Sequence, residues 1–152
     1  MEVVCGVKAQ PARHALVVRT KTSAQGLPEE LGKATGAIAA YLAELGERPA
    51  GPPFIAYRNR DDRQPEVDLG IPVSKPLPGK GGILAVEIPA GRVASCIYTG
   101  PREGIAPAYE ALLEWMEENR YEACGPACEI YWSDPAKTPP AKRKTQIAFP
   151  IL

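Results

Sequence analysis

The stretch GPACEIYWSD, residues 125–134, carries a carboxylate and a phenol two residues apart, Glu129 and Tyr131, on what reads as a β-strand. Cys128, Ile130 and Trp132 alternate with them, and period-two alternation sends the two sets to opposite faces. Glu129 and Tyr131 therefore share a face and can reach one common ligand. A carboxylate beside an aromatic ring can pair with a cation or, as a general base, take a proton. Its surroundings decide which. At a strand end in solvent, or paired to Arg58 or Lys144, Glu129 is an ordinary surface acid. Lining a cavity, an unpaired carboxylate costs on the order of several kcal/mol, so it persists where something meets it.

The elements that position this pair are visible because the chain contains itself twice. GPPFIAY at 51–57 and GPACEIY at 125–131 share glycine, proline and tyrosine in register. With the same offset Tyr41 aligns with Trp115, Leu42 with Met116 and Glu44 with Glu118. RHALVVRT at 13–20 resembles RVASCIYT at 92–99, and GIPV at 70–73 resembles AFPI at 148–151. Matches in one order over most of the chain identify an internal repeat. The register sets Ile55 opposite Glu129 and Tyr57 opposite Tyr131. An apolar counterpart implies that the face is at least partly buried.

Each copy has the same anatomy. Val3 to Val7, His14 to Thr20, Ile83 to Ile88 and Val93 to Thr99 are rich in strand formers. A helix follows in each half. Leu31, Ala34, Ile38, Tyr41, Leu42 and Leu45 recur at helical spacing after Pro28-Glu29-Glu30, a proline and acidic pair that suit a first turn. Ile105, Ala108, Tyr109, Leu112, Trp115 and Met116 form the second stripe, with Pro107 near its start and Asn119 as an end signal. A hairpin closes each half, 53–58 with 66–72 and 127–132 with 145–151. The prediction is one α+β domain over 1–152, a pseudo-twofold duplication of a strand-helix-strand-strand unit with an extra leading strand. The sheet is mainly antiparallel, of about eight strands, with two main helices and a ligand groove between halves. The first half spans 1–73 and the second 83–152. Residues 74–82 connect them, and the glycines there lack the serine, threonine or helix start of a phosphate loop.

Composition narrows the function classes. The 152 residues include 45% hydrophobic and 24% charged residues, enough for one globular core. Lysine plus arginine equals aspartate plus glutamate at 18 each, so no global field favours nucleic acid. The local basic run Lys142, Arg143, Lys144 reads as a solvated loop. No apolar run reaches the roughly 20 residues of a membrane span. The N-terminus MEVVCGVK has no secretion pattern, so a cytoplasmic location is expected. Cys5 and Cys96 fall within strands as small hydrophobes. Cys124 and Cys128 have no second ligand pair, and His14 is distant, so neither a metal site nor a cofactor is expected.

Tyr98 to Pro101, the helix with Tyr109 and Trp115, Gly125-Pro126, Glu129-Ile130-Tyr131, Ser133-Asp134-Pro135 and the terminal strand with Pro150 together resemble the GyrI-like proteins. These are related to the effector-binding domains of multidrug-responsive bacterial transcription regulators. The resemblance covers nearly the whole chain through the repeat, with a looser first half. It implies a pocket for bulky hydrophobic, aromatic or cationic molecules, whose acidic residue matches Glu129. Candidate walls are Ile55, Tyr57, Tyr98, Trp115, Tyr131 and Phe149. Unlike in the regulators, the chain begins at the first strand of the repeat, so direct DNA reading is not expected. Three readings follow from the resemblance. The first is a stand-alone binding protein that captures xenobiotics. The second is a hydrolase opening the cyclopropane ring of DNA-alkylating cyclopropanoid compounds, with Glu129 and Tyr131 as its catalytic pair. The third, more distant, is a protein-interaction inhibitor of DNA gyrase. An exposed edge strand leaves both a monomer and a homodimer open.

Overall fold

The computed structural model describes residues 3–59, 61, 63–134 and 136–152. In chain order its strands are β1 (Val4–Gln10), β2 (Arg13–Lys21), β3 (Phe54–Tyr57), β4 (Glu66–Val73), β5 (Ile83–Ile88), β6 (Gly91–Thr99), β7 (Cys128–Tyr131) and β8 (Lys144–Ile151). Helix α1 spans Leu27–Glu44 and α2 spans Ala106–Glu118. The fold is α+β, with these strands paired antiparallel. Backbone contacts group the chain into two compact units, Pro11–Ala90 and, separately, Gly91–Leu152 with the N-terminal strand.

In the unit Pro11–Ala90, β4 lies between β3 and β2, and β5 pairs with the far side of β2. The other unit has the same internal order: β8 lies between β7 and β6, and β1 pairs with the far side of β6. The leading strand of each repeat copy is therefore exchanged. β1 precedes the first copy in sequence but pairs with β6 of the second. β5 precedes the second copy but pairs with β2 of the first. The unit boundaries consequently fall at 10/11 and 90/91 and not within 74–82.

Each helix covers one face of its unit's strands. α1 sets Ile38, Tyr41 and Leu42 against Leu16, Ile71 and Val73. α2 sets Ala108, Leu112 and Met116 against Ala94, Cys96, Tyr98, Ile147 and Ile151. Both helices carry proline in the first turn, and Glu29 and Glu30 face the positive end of α1. Asn119 closes α2, its side-chain amide donating to the Trp115 carbonyl at 2.8 Å. The 74–82 connection folds back on α1: the Tyr41 hydroxyl donates to the Pro78 carbonyl at 2.8 Å. No described helix is long and apolar enough to cross a membrane.

Two packing details make predictions. Gly70 is paired with Phe54 on one side and Val17 on the other. A Cβ there would come within 2.6 Å of Val17 Cγ1, 2.8 Å of Phe54 Cζ and 2.9 Å of the Leu16 carbonyl oxygen. Gly70→Ala is expected to lower unfolding free energy by about 1–3 kcal/mol in denaturant titrations, the cost of forced overpacking. Cys5 and Cys96 face each other across β1 and β6. Burial pushes the Cys96 thiol up to about 12 from the ordinary 9.0, with the neighbouring Cys5 adding to the effect. The fold thus favours the protonated thiol, so this contribution to stability is present below about pH 9 and is lost as pH rises toward 12. At pH 8, iodoacetamide should modify exposed Cys124 promptly and Cys96 only after unfolding, as peptide mass mapping would report.

Candidate functional site

Strand β7 is only four residues long, and its register against β8 decides where its carboxylate goes. Glu129 is paired with Ile147 and Tyr131 with Thr145. Directly paired residues project on the same side of a sheet. Ile147 belongs to the core beneath α2, so Glu129 lies on the helix-covered face. It is 2% exposed. The surface alternative for this residue is thereby excluded: Arg58 lies instead against Asp68 at 3.8 Å, and the Lys144 residue is exposed.

A charge in that position needs donors, and three other side chains supply them. The Tyr131 hydroxyl donates to Glu129 Oε1 at 2.6 Å. The Tyr109 hydroxyl, from the first turns of α2, donates to Oε2. Arg102 Nη1 lies 3.2 Å from Oε1 and also donates to the Tyr131 hydroxyl oxygen at 2.8 Å. The Tyr131 phenol is thus relayed between guanidinium and carboxylate. The Arg102 guanidinium carbon also stands 5.9 Å from the Tyr131 ring centroid, within cation–π range. Among the described residues, no buried side-chain nitrogen or oxygen lacks a partner.

Arg102 begins a three-residue 3-10 turn, Arg102–Gly104, between β6 and α2. Tyr98 fixes that turn by donating its hydroxyl to the Pro101 carbonyl at 2.6 Å. Gly100 has φ of 147°, and a Cβ on it would lie 2.7 Å from the Tyr98 hydroxyl oxygen. Glycine there gives the phenol its room. An open cleft of about 630 Å³, bounded in part by Tyr98, Pro101, Gly104 and Pro107, adjoins the segment that carries Arg102.

The expected residues separate into three groups. Glu129 and Tyr131 meet, and Phe149 adjoins them through Tyr109, ring edge to face at 6.2 Å and 86°. Tyr98 is buried, with its hydroxyl committed to the turn, and Trp115 stacks on Tyr121 at 5.6 Å. Ile55 and Tyr57 lie on β3 in the Pro11–Ala90 unit, Ile55 buried in its core and Tyr57 half-buried. Sequence reasoning gave Tyr109 to the apolar stripe of the helix and gave Arg102 no part. The repeat held the missing signal. In the register that sets Ile55 opposite Glu129, Thr35 falls opposite Tyr109, and ahead of the helices the 3-10 turn Ala24–Gly26 opens on Ala24 where Arg102–Gly104 opens on Arg102. The second copy carries a phenol, a base and an acid at these three positions, and an acid that appears together with a base and a phenol marks a cluster. Among the described residues no group of three or more histidine, cysteine, aspartate or glutamate side chains is gathered for a metal ion.

The fold and the sequence place the chain in a known class. Residues 6–152 match the model of the GyrI-like small molecule binding domain, and the chain belongs to that family. Among solved structures, the EcmrR C-terminal domain superposes with a TM-score of 0.85 at 22% identity, covering 100% of this chain and 99% of that one. In the EcmrR–DNA complex the TM-score is 0.86 at 21% identity, covering 98% of this chain; the chain spans 57% of that EcmrR chain. A hydrolase from Listeria innocua gives a TM-score of 0.67 at 16% identity, with coverage of 97% and 91%. SAV2435 bound to tetraphenylphosphonium gives 0.70 at 8% identity, with coverage of 100% and 94%. These similarities establish the shared fold. A comparison with curated proteins finds no match.

Removing one donor from the buried acid tests whether it is held as described. Tyr109→Phe should lower unfolding free energy by about 1–3 kcal/mol, the cost of a hydrogen bond to a charged group. Equilibrium denaturation would read it, and an unchanged midpoint would show that Glu129 does not depend on α2.

Proposed function

We propose that this protein binds bulky hydrophobic molecules, aromatic or cationic, with Glu129 as the polar anchor and Tyr109 and Tyr131 as the aromatic wall. The observation that carries this reading is the buried carboxylate ringed by two phenols and a guanidinium at the head of α2. Aromatic faces supply contact area and attract cations, and a desolvated carboxylate supplies counter-charge at low local dielectric. Family membership supports small-molecule binding, and the tetraphenylphosphonium held by SAV2435 shows the kind of lipophilic cation that one protein of this fold accepts.

Cyclopropane hydrolysis would ask more of Glu129. A general base must have an oxygen directed at the attacking water. Here Oε1 accepts from Tyr131 and Arg102 and Oε2 accepts from Tyr109, so both oxygens are already engaged. That satisfied state favours binding over turnover.

Titration with tetraphenylphosphonium and with neutral polycyclic aromatics, followed by tyrosine and tryptophan fluorescence, tests the proposal. Saturable one-site binding is expected, and Glu129→Gln should weaken the cation by about tenfold or more. In parallel, an activated cyclopropane compound incubated with a trace of protein should yield no hydrated product above the buffer rate. Many turnovers to a product one water heavier, lost in Glu129→Gln, would replace binding with catalysis.

A further inference from the structure

The acid that would neutralise a cationic ligand is already neutralised within the chain. Arg102 Nη1 sits 3.2 Å from Glu129 Oε1, and its guanidinium lies over the Tyr131 ring at 5.9 Å. It makes both contacts that a lipophilic cation would make, one to the carboxylate and one to the aromatic face. We propose that Arg102 is the resident cation of this site and sets its charge selectivity. A cationic ligand enters by exchanging with the guanidinium, whereas a neutral aromatic ligand binds with the ion pair intact. The inference rests on the binding reading above and adds the competitor that a charged ligand must displace.

The two partners are unequally placed for such an exchange. The Glu129 side chain is 3% exposed and cannot leave, while the Arg102 side chain is 31% exposed and reaches solvent. A guanidinium at the rim can be transferred to water at little cost, because it carries its own hydration and a long aliphatic stem. Its backbone stays behind, since the Tyr98 hydroxyl holds the turn at Pro101. The exchange therefore needs a side-chain rotation and no movement of a helix.

The repeat argues that the ion pair is not there for the fold. The first copy has Ile55 at the position of Glu129, its 3-10 turn Ala24–Gly26 opens on alanine where the second copy's opens on Arg102, and it forms the same strand order without either charge. Acid and base thus occur together in one copy and are absent together in the other. Energetically, a tethered cation competes at high effective concentration, so an incoming cation regains the electrostatic contact but gains nothing net from it. The pair also cancels the charge of the site, which removes any long-range pull on free cations.

Tetraphenylarsonium and tetraphenylborate, ions of nearly equal size and opposite charge, separate these effects in calorimetric titrations in sodium buffers. Arg102→Gln should bind the arsonium about tenfold more tightly than wild type and the borate more weakly. A cation-to-anion affinity ratio that changes less than twofold, with binding retained, overturns the role of Arg102 and leaves the binding reading standing. If neither ion nor neutral triphenylmethanol binds wild type or any variant, the binding reading itself fails and this inference falls with it. Should Arg102→Gln not fold, as judged by melting, the comparison passes to Glu129→Gln with and without Arg102→Gln. The single variant leaves the guanidinium unpaired and should bind borate about tenfold more tightly than the double variant; equal affinities overturn the proposal.

Discussion

A buried carboxylate on the helix-covered face of β7, paired with the core residue Ile147, is the constraint around which this half of the molecule is arranged. Water is excluded there, so each lone pair has to be met by a donor from the chain. That requirement accounts for features that are otherwise unrelated. It explains a tyrosine in the first turns of α2, a second tyrosine two residues along β7, and an arginine at the start of the connecting turn. It also gives purpose to the next layer outward. Tyr98 is spent on holding the Pro101 carbonyl, and Gly100 makes way for it, so that the turn presents Arg102 in register with the acid.

The duplication acts as an internal control on this interpretation. Both copies make the same strand order, cover one face with a helix that begins at a proline, and bury an equivalent aliphatic stripe. Apolar burial is sufficient for all of that. At the site the copies differ in Thr35 against Tyr109, Ala24 against Arg102 and Ile55 against Glu129. On the proposed reading, the site is grafted onto one copy of a scaffold whose other copy has the same strand order without it, a common relation between folds and sites. A buried ion pair is seldom a gain in stability over a well-packed hydrophobic side chain. The second copy keeps one where the first keeps isoleucine, which is consistent with the proposed role in ligand binding.

The same geometry separates binding from chemistry. An acid poised for proton transfer keeps a lone pair aimed at the reacting group, whereas an acid poised for recognition is fixed by its neighbours until a ligand takes their place. On the proposed binding reading, Glu129 belongs to the second kind. Its satisfied state also explains how a GyrI-like domain can carry a deep negative charge without a strong field at its surface: the counter-charge is built in and stands at the rim.

The sequence by itself determined the duplication, the α+β class, both helices and both hairpins, because hydrophobic periodicity and turn residues are local properties. The extents of α1 and α2 follow from apolar spacing, first-turn prolines and Asn119. It also singled out Glu129 and Tyr131, since alternation on a strand and an apolar counterpart in the repeat are both readable along the chain. Only the tertiary structure decided the rest. The exchange of β1 and β5 between copies depends on strand pairing across roughly eighty residues, for which no local rule exists. Arg102 and Tyr109 reach Glu129 only when β6, the turn and α2 are folded over β7, and nothing in their spacing from residue 129 announces it. Burial turned Trp115, Tyr98 and Ile55 toward packing for the same reason. A side chain's neighbours across the core are set by three-dimensional register, which the one-dimensional pattern constrains by face and not by partner.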